Sequence, residues 1–339
     1  MDWNGVRVLV TGGTSFIGSH LVDALIEEGA QVRIVDNLSS GRIENIQGHL
    51  EARRVEFIKG DLLDAGLART AVQGMEVVFH LAADHGGRGY VDLHQAACAT
   101  NLALDGIMFN ACYKAGVRKV VYASSGCVYP NFLQIDPNKE LYLNEDLVKP
   151  PYDADNMYGW AKLMAELTLK AYYKDWGMRS VSCRYFTVYG PRGHENHAII
   201  AMIARSFVDQ NPFVVWGNGE QVRNWTFVSD IVAGTLLAAE KIDNATAINL
   251  GTMERIKVID AAREILCYTG KERLRIELQP DMPTGPMNRV ADNSLARSLL
   301  GWRPQVKFAD GLRSTIDWYY ATKDRRQVGE TLNERLTRR

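Results

Sequence analysis

Along the first half of the chain, short apolar runs alternate with longer stretches of helical period. Residues 6–10 (Val-Arg-Val-Leu-Val), 31–36, 55–58, 77–82, 119–124 and 180–185 are rich in Val, Ile and Phe and too short for helices, so they predict strands. Between them the pattern predicts helices over about 17–28, 92–115 and 157–176. Strands alternating with helices predict an α/β fold on a parallel, doubly wound, Rossmann-type sheet. Right-handed crossovers then bring the strand C-termini, and the site, to one edge. After 186 the pattern loosens. Gly190-Pro191-Arg192-Gly193 breaks the chain, a helix follows at 198–209, and short strands are expected at 213–216 and 274–278. Pro280, Pro283, Gly285 and Pro286 mark a loop. The expected organisation is a nucleotide-binding domain over 1–186 with 227–251 returning to it. A smaller mixed substrate lobe over 187–321 and a charged, partly disordered tail over 322–339 complete it.

Composition changes this picture little. Hydrophobic residues make up 46% and charged residues 23%, and the net charge is −1, so neither a nucleic-acid nor a membrane surface is indicated. No run of about 18 apolar residues occurs, and Met1-Asp2-Trp3-Asn4-Gly5 leads directly into the first strand rather than a signal peptide. The five cysteines (98, 112, 127, 183, 267) are odd in number and lack CxxC spacing, which predicts reduced thiols, no metal site and a cytoplasmic setting.

The candidate chemistry lies in two places. The turn Thr11-Gly12-Gly13-Thr14-Ser15-Phe16-Ile17-Gly18 follows the first strand and opens a helix, so its backbone and helix N-terminus can take a pyrophosphate. Ser15 stands where a middle glycine is usual. Asp36 closes the second strand, where a carboxylate bonds ribose hydroxyls and repels a 2′-phosphate, favouring NAD over NADP. Farther on, Tyr158 and Lys162 sit at i, i+4 on one helix face, where the ammonium favours the phenolate. With Ser125 and a bound dinucleotide, this pair can remove a hydroxyl proton while hydride leaves the same carbon.

These motifs, in order with Asp61-Leu62, His80-Leu81-Ala82-Ala83, Asn101, Ser124-Ser125-Gly126-Cys127-Val128-Tyr129, Arg184 through Pro191, Gln221 through Phe227 and Arg289-Val290-Ala291-Asp292, resemble the extended short-chain dehydrogenase/reductases that modify nucleotide sugars. The resemblance covers about residues 5–320. It implies NAD contacts from Gly12, Ser15, Phe16, Ile17, Gly18, Asp36, Asn37, Asp61, Leu62, Leu81, Ala82, Ala83, Asn101, Tyr158 and Lys162. It also implies a homodimer packed through the helices near 92–115 and 157–176.

Within that superfamily, 4,6-dehydratases carry an Asp-Glu pair before the Val-Tyr, and UDP-glucuronate decarboxylases a glutamate beside the valine. This chain has Gly126-Cys127. Ala123 through Pro130 is most similar to the GDP-mannose 3,5-epimerase loop, whose cysteine is a catalytic acid/base, and Ala83 through Tyr90 resembles that family's glycine-rich segment beside the substrate. The resemblance implies substrate contacts from Gly87, Arg88, Ser125, Gly126, Cys127, Thr187 and Arg205, with Arg223 and Arg289 on the diphosphate. The family's second acid/base is a lysine. His197 occupies its position here, with His194 as rival, and Thr187 stands where an Asn is usual.

The implied reaction uses NAD transiently to make a 4-keto nucleotide sugar. Cys127 and His197 then exchange protons at C3 and C5 on opposite faces. A C4-only epimerase of UDP-glucose or UDP-glucuronate would need Ser125, Tyr158 and Lys162 but neither Cys127 nor His197. A non-catalytic NAD-binding protein would be expected to lack the Tyr or the Lys.

Overall fold

The computed structural model describes residues 2–336; Met1 and residues 337–339 of the charged tail lie outside the described residues. Six strands of the first part, β1 (Arg7–Thr11), β2 (Gln31–Asp36), β3 (Val55–Lys59), β4 (Val77–His80), β5 (Lys119–Ser125) and β6 (Ser180–Tyr185), join a later strand, Asn244–Leu250, in one sheet. The order is Asn244–Leu250, β6, β5, β4, β1, β2, β3, and every pairing is parallel. Strand order reverses between β1 and β4, so the crevice for a ligand opens at their C-terminal ends.

Alternation along the strands builds two cores. Val8, Val10, Ile34, Phe79, Val121, Val181 and Ile248 face the helices Phe16–Glu27 and Val228–Lys241. Leu9, Val35, Val78, Val120 and Tyr122 face the helices Asn101–Lys114 and Asn156–Trp176. Burial on both faces is why these strands read as continuous apolar runs.

Two polar networks inside this core fix the site's supports. Thr11 Oγ1 lies 2.8 Å from His80 Nδ1, His80 Nε2 lies 3.1 Å from Asp105 Oδ1, and the Tyr122 hydroxyl donates to Asp105 Oδ2 at 2.8 Å. Thr11 Oγ1 also accepts from the Leu81 and Ala82 amides at 3.1 and 3.0 Å. Those bonds draw the chain out of the ladder, so β4 ends at His80 rather than 82. Buried Arg184 on β6 grips Glu166 with two bonds of 3.0 and 2.8 Å, locking the Asn156–Trp176 helix to the sheet. Losing one partner of such a buried pair costs about 3–5 kcal/mol.

The smaller part is mixed. Phe213–Trp216 pairs in parallel with Ile276–Gln279, and Val222–Arg223 lies between Ile256–Lys257 and Asn288–Arg289. Its core gathers Ile199, Ile203, Phe207, Trp225, Ile265, Phe308 and Tyr319.

Two expectations change. The stretch 92–115 is three helices, Arg88–Leu93, Gln95–Ala99 and Asn101–Lys114. His94 leaves helical geometry with its ring centre 4.4 Å from that of Tyr90, the planes tilted by 31°, and Asn101 turns back to bond Asp84. Within the charged tail a helix forms: Asp324 caps the helix Arg325–Arg335, whose Val328 and Leu332, with Leu336 beyond it, are buried against the core of the smaller part. No helix among the described residues is long and apolar enough to cross a membrane.

Candidate active site

Two adjoining clefts open at the crevice, of about 130 and 340 Å³, and share Ser15, Leu81, Ala83 and His85. The smaller is lined by Gly12, Asp36, Asn37, Asp61, Leu62 and Ala82. Its geometry suits a dinucleotide. Gly12 has φ +71°, and a Cβ there would stand 3.1 Å from the Ala82 amide. A Cβ on Gly18 would meet the Gly12 carbonyl at 2.1 Å, so the turn can pack onto the helix only with glycine at that position. Ser15, in the middle-glycine position, donates to the Gly12 carbonyl at 2.6 Å and tightens the same turn. Its side chain does not cap the helix Phe16–Glu27, so the helix N-terminus faces the cleft with amides open to an anion. Thr14 Oγ1 is buried without a partner among the described residues, and the Asp36 carboxylate is held by the Thr14 and Leu38 amides at 3.1 and 2.8 Å.

The larger cleft brings together Phe16, Ile17, Gly18, Ser125, Gly126, Cys127, Tyr158, Lys162, Thr187, His194 and His197, with Gly87, Arg88, Arg205, Arg223 and Arg289. Asn101 lines neither cleft. It is wholly buried, and its amide bonds the Asp84 backbone at 2.6 and 2.8 Å, so it braces the Ala83-Asp84 turn from behind. Sequence reading missed Ser39, Ser40, Gly60, Trp216, Gln134 and Asp155, and reached His85 only as part of the Ala83–Tyr90 segment. Of those missed, Asp155 carried a signal, as an Asp-Asn step at a helix start.

Ser125 ends β5, and its Oγ accepts the Cys127 amide at 3.1 Å, closing the turn Gly126–Val128. The Cys127 carbonyl accepts the Asp155 amide at 2.9 Å, and a Cβ on Gly159 would meet that carbonyl at 2.3 Å. Gly159 therefore lets the cysteine loop lie on the helix that carries Tyr158 and Lys162. Lys162 Nζ stands 5.6 Å from the Tyr158 ring centre and 4.6 Å from that of Tyr122. The phenol is not lowered as the Lys spacing suggested. Burial, with Cys127 next, pushes Tyr158 above its ordinary value, and only the Ser125 hydrogen bond pulls it down. Burial likewise pulls Lys162 down, opposed by Asp105, Cys127 and Glu166.

Arginines divide into two kinds. Arg289 donates to Gln134 Oε1 at 2.7 Å, Cys127 Sγ at 3.1 Å and Asp155 Oδ2 at 2.9 Å, and Arg88 donates to Asp155 and Asp92. Among the described residues Arg223 donates to the Val222 and Thr284 carbonyls, and burial, with Arg289 and Arg88, pulls it to about 9. Arg205 is buried beside the Trp216 ring; its Nε has no partner among the described residues, and burial pulls it to about 10. Both remain protonated near neutrality.

His197 begins the helix Ala198–Phe207, its ring 6.4 Å from that of His85. Burial pulls both His194 and His197 to about 4, so both are neutral near pH 7. Between about 4 and 6.5 the native form then binds fewer protons than the unfolded chain, so stability should fall as pH drops through that window. Tm measured from pH 7 to 5 should decline, and replacing both residues (His194→Gln, His197→Asn) should flatten the decline.

The sequence pattern of the NAD dependent epimerase/dehydratase family matches residues 8–251. The chain is 33% identical over 319 residues to GDP-mannose 3,5-epimerase 1 of Oryza sativa subsp. japonica, covering 92% of this chain and 81% of that one. It is 30% identical over 324 residues to UDP-glucose 4-epimerase of Mycolicibacterium smegmatis, covering 93% and 98%. Its fold matches the crystal structure of Thermotoga maritima UDP-glucose 4-epimerase with UDP-glucose at a TM-score of 0.82 and 30% identity, covering 93% of this chain and 99% of that one.

Proposed function

Because this chain belongs to the NAD dependent epimerase/dehydratase family, we propose that it is a nucleotide-sugar epimerase that works through a transient 4-keto sugar and inverts C3, C5 or both with Cys127, as a GDP-mannose 3,5-epimerase does. The observation that carries this reading is the Cys127 sulfur, in the cleft wall 3.1 Å from Arg289 Nη1, on the turn that Ser125 closes beside Tyr158. NAD, when bound, supplies a reversible hydride acceptor at C4 and a positive ring charge that favours the Tyr158 phenolate.

Ser125 holds the C4 oxygen and Tyr158 takes its proton, with the Lys162 ammonium as local counter-charge. The 4-ketone acidifies the hydrogens on C3 and C5. Cys127 exchanges a proton on one face, and the neutral His197 imidazole accepts one on the other, with His194 as rival. Arg205 and Arg223 take the diphosphate, whose charge restores the solvation their burial removed.

A C4-only epimerase is the second reading, favoured by the 30% identity to a UDP-glucose 4-epimerase along nearly its whole length. It uses the same Ser125, Tyr158 and Lys162. Incubation in D₂O with GDP-mannose, UDP-glucose and UDP-glucuronate, followed by NMR, decides between them. Deuterium at C3 or C5 supports the first reading, and C4 inversion without deuterium leaves the second.

We also propose a homodimer. Leu102 on Asn101–Lys114 and Trp160 and Met164 on Asn156–Trp176 are exposed on neighbouring helices, an apolar face that a second copy would cover. Sedimentation should give twice the chain mass, and the double variant Trp160→Glu, Met164→Glu should sediment as a monomer.

A further inference from the structure

We propose that Asp155 is the positioning residue for the Cys127 base: its carboxylate gathers Arg88 and Arg289 on one oxygen and so holds the Arg289 guanidinium against the sulfur. This rests on the reading of Cys127 as the base at C3 or C5. Asp155 is the N-cap of the helix carrying Tyr158 and Lys162, yet its side chain caps nothing. An aspartate there ordinarily accepts the helix's open amides. Here the carboxylate turns into the site. Oδ2 accepts from Arg88 Nη1 at 2.7 Å and from Arg289 Nη2 at 2.9 Å, and the residue is 4% exposed.

The consequence runs through Arg289. Its Nε is fixed by Gln134 and one Nη by Asp155, which leaves the other Nη directed at Cys127 Sγ. The backbone repeats the link, since the Asp155 amide donates to the Cys127 carbonyl and the Asp155 carbonyl accepts the Gly159 amide, both at 2.9 Å. Asp155 thus ties three elements together: the cysteine turn, the strand Asn288–Arg289 and the glycine-rich segment at Arg88. Arg88, Arg223 and Arg289 repel one another. Asp155 is the carboxylate that Arg88 and Arg289 share, while Asp92 bonds only Arg88 of these three. Burial alone would push the Asp155 carboxyl up, but Arg289 and Arg88 more than reverse this and hold it below its ordinary range, so it stays ionised. An asparagine has the same shape without the charge that holds two guanidiniums on one atom.

The test compares Asp155→Asn with Asp92→Asn, both in a Cys267→Ser background so that Cys127 is the one free thiol not buried among the described residues. The readouts are deuterium entry at C3 and C5, formation of reduced cofactor, and the rate of iodoacetamide alkylation of Cys127 without substrate. Asp155→Asn should slow deuterium entry roughly a hundredfold, the penalty of a misplaced group. Reduced cofactor should still form, because Tyr158 and Lys162 are untouched. The alkylation rate should change as the guanidinium leaves its place against the sulfur. Asp92→Asn should leave all three near wild type. Arg289→Lys, which keeps the charge but not the fork, should also slow deuterium entry and stands in if Asp155→Asn does not fold. Unchanged exchange, an unchanged alkylation rate, or equal effects from Asp155→Asn and Asp92→Asn would each overturn the proposal. If the wild type inverts C4 without deuterium, it is the Cys127 reading that fails, and the alkylation rate still reports whether Asp155 controls access to that thiol.

Discussion

Tyr158→Phe is expected to lower kcat by about 10²–10⁴-fold, the usual range for loss of a general base, with little change in binding of cofactor or nucleotide sugar. The substitution removes one hydroxyl and leaves the ring that Lys162 Nζ approaches at 5.6 Å. The helix beneath it is held by the Glu166–Arg184 pair and by Gly159 against the Cys127 carbonyl, neither of which involves the phenol. Steady-state kinetics beside calorimetric binding would separate the two effects. A drop in kcat below tenfold would mean that another group takes the C4 hydroxyl proton. The pH dependence carries a sign. Burial pushes the phenol up, so the phenolate fraction, and with it the wild-type rate, should still be rising on the alkaline side. Tyr158→Phe should lose that rise.

Much of the frame was legible because its signals are local. β1, β2, β3, β5, β6 and the long Tyr158 helix fall within about a residue of the expected bounds, since apolar runs and helical period act over a few neighbours. The break of 92–115 was hidden. It depends on the Asp84–Asn101 bonds and the Tyr90–His94 ring contact, which the run of residue types along the segment does not announce. The last helix escaped notice because its buried stripe is only Val328, Leu332 and Leu336, set in a strongly charged sequence.

The site was legible as a list of motifs but not as a circuit. Ser125, Tyr158 and Lys162 announce themselves by type and spacing. Asp155 and Arg289 lie 134 positions apart, and only the fold shows that one holds the other. The same limit applies at Tyr158. The i, i+4 lysine is visible in the sequence, but the burial that outweighs it is not. Arg205 and Arg289 both read as substrate ligands, yet among the described residues Arg205 Nε has no partner, whereas Arg289 has its donors committed around the cysteine.

Cys127→Ala should erase deuterium entry at C3 and C5, again by about 10²–10⁴-fold, while reduced cofactor still forms from the 4-hydroxyl. The loop itself should survive. Ser125 Oγ bonds the Cys127 amide and the Asp155 amide bonds its carbonyl, and both contacts are made by backbone that alanine keeps. What disappears is the sulfur at 3.1 Å from Arg289, and no other titratable side chain takes its place on that turn. The two histidines come from the Ala198–Phe207 helix and the loop before it, not from the cysteine turn. Cys127→Ser should be nearly as slow as alanine, since a hydroxyl ionises far less readily than a thiol near neutrality. NMR of the product and the exchange rate in D₂O give both numbers in one experiment. Exchange that survives in Cys127→Ala would move the base to His197 or His194. A wild type that never exchanges but inverts C4 would make Cys127 a small residue under the sugar and the chain a C4-epimerase.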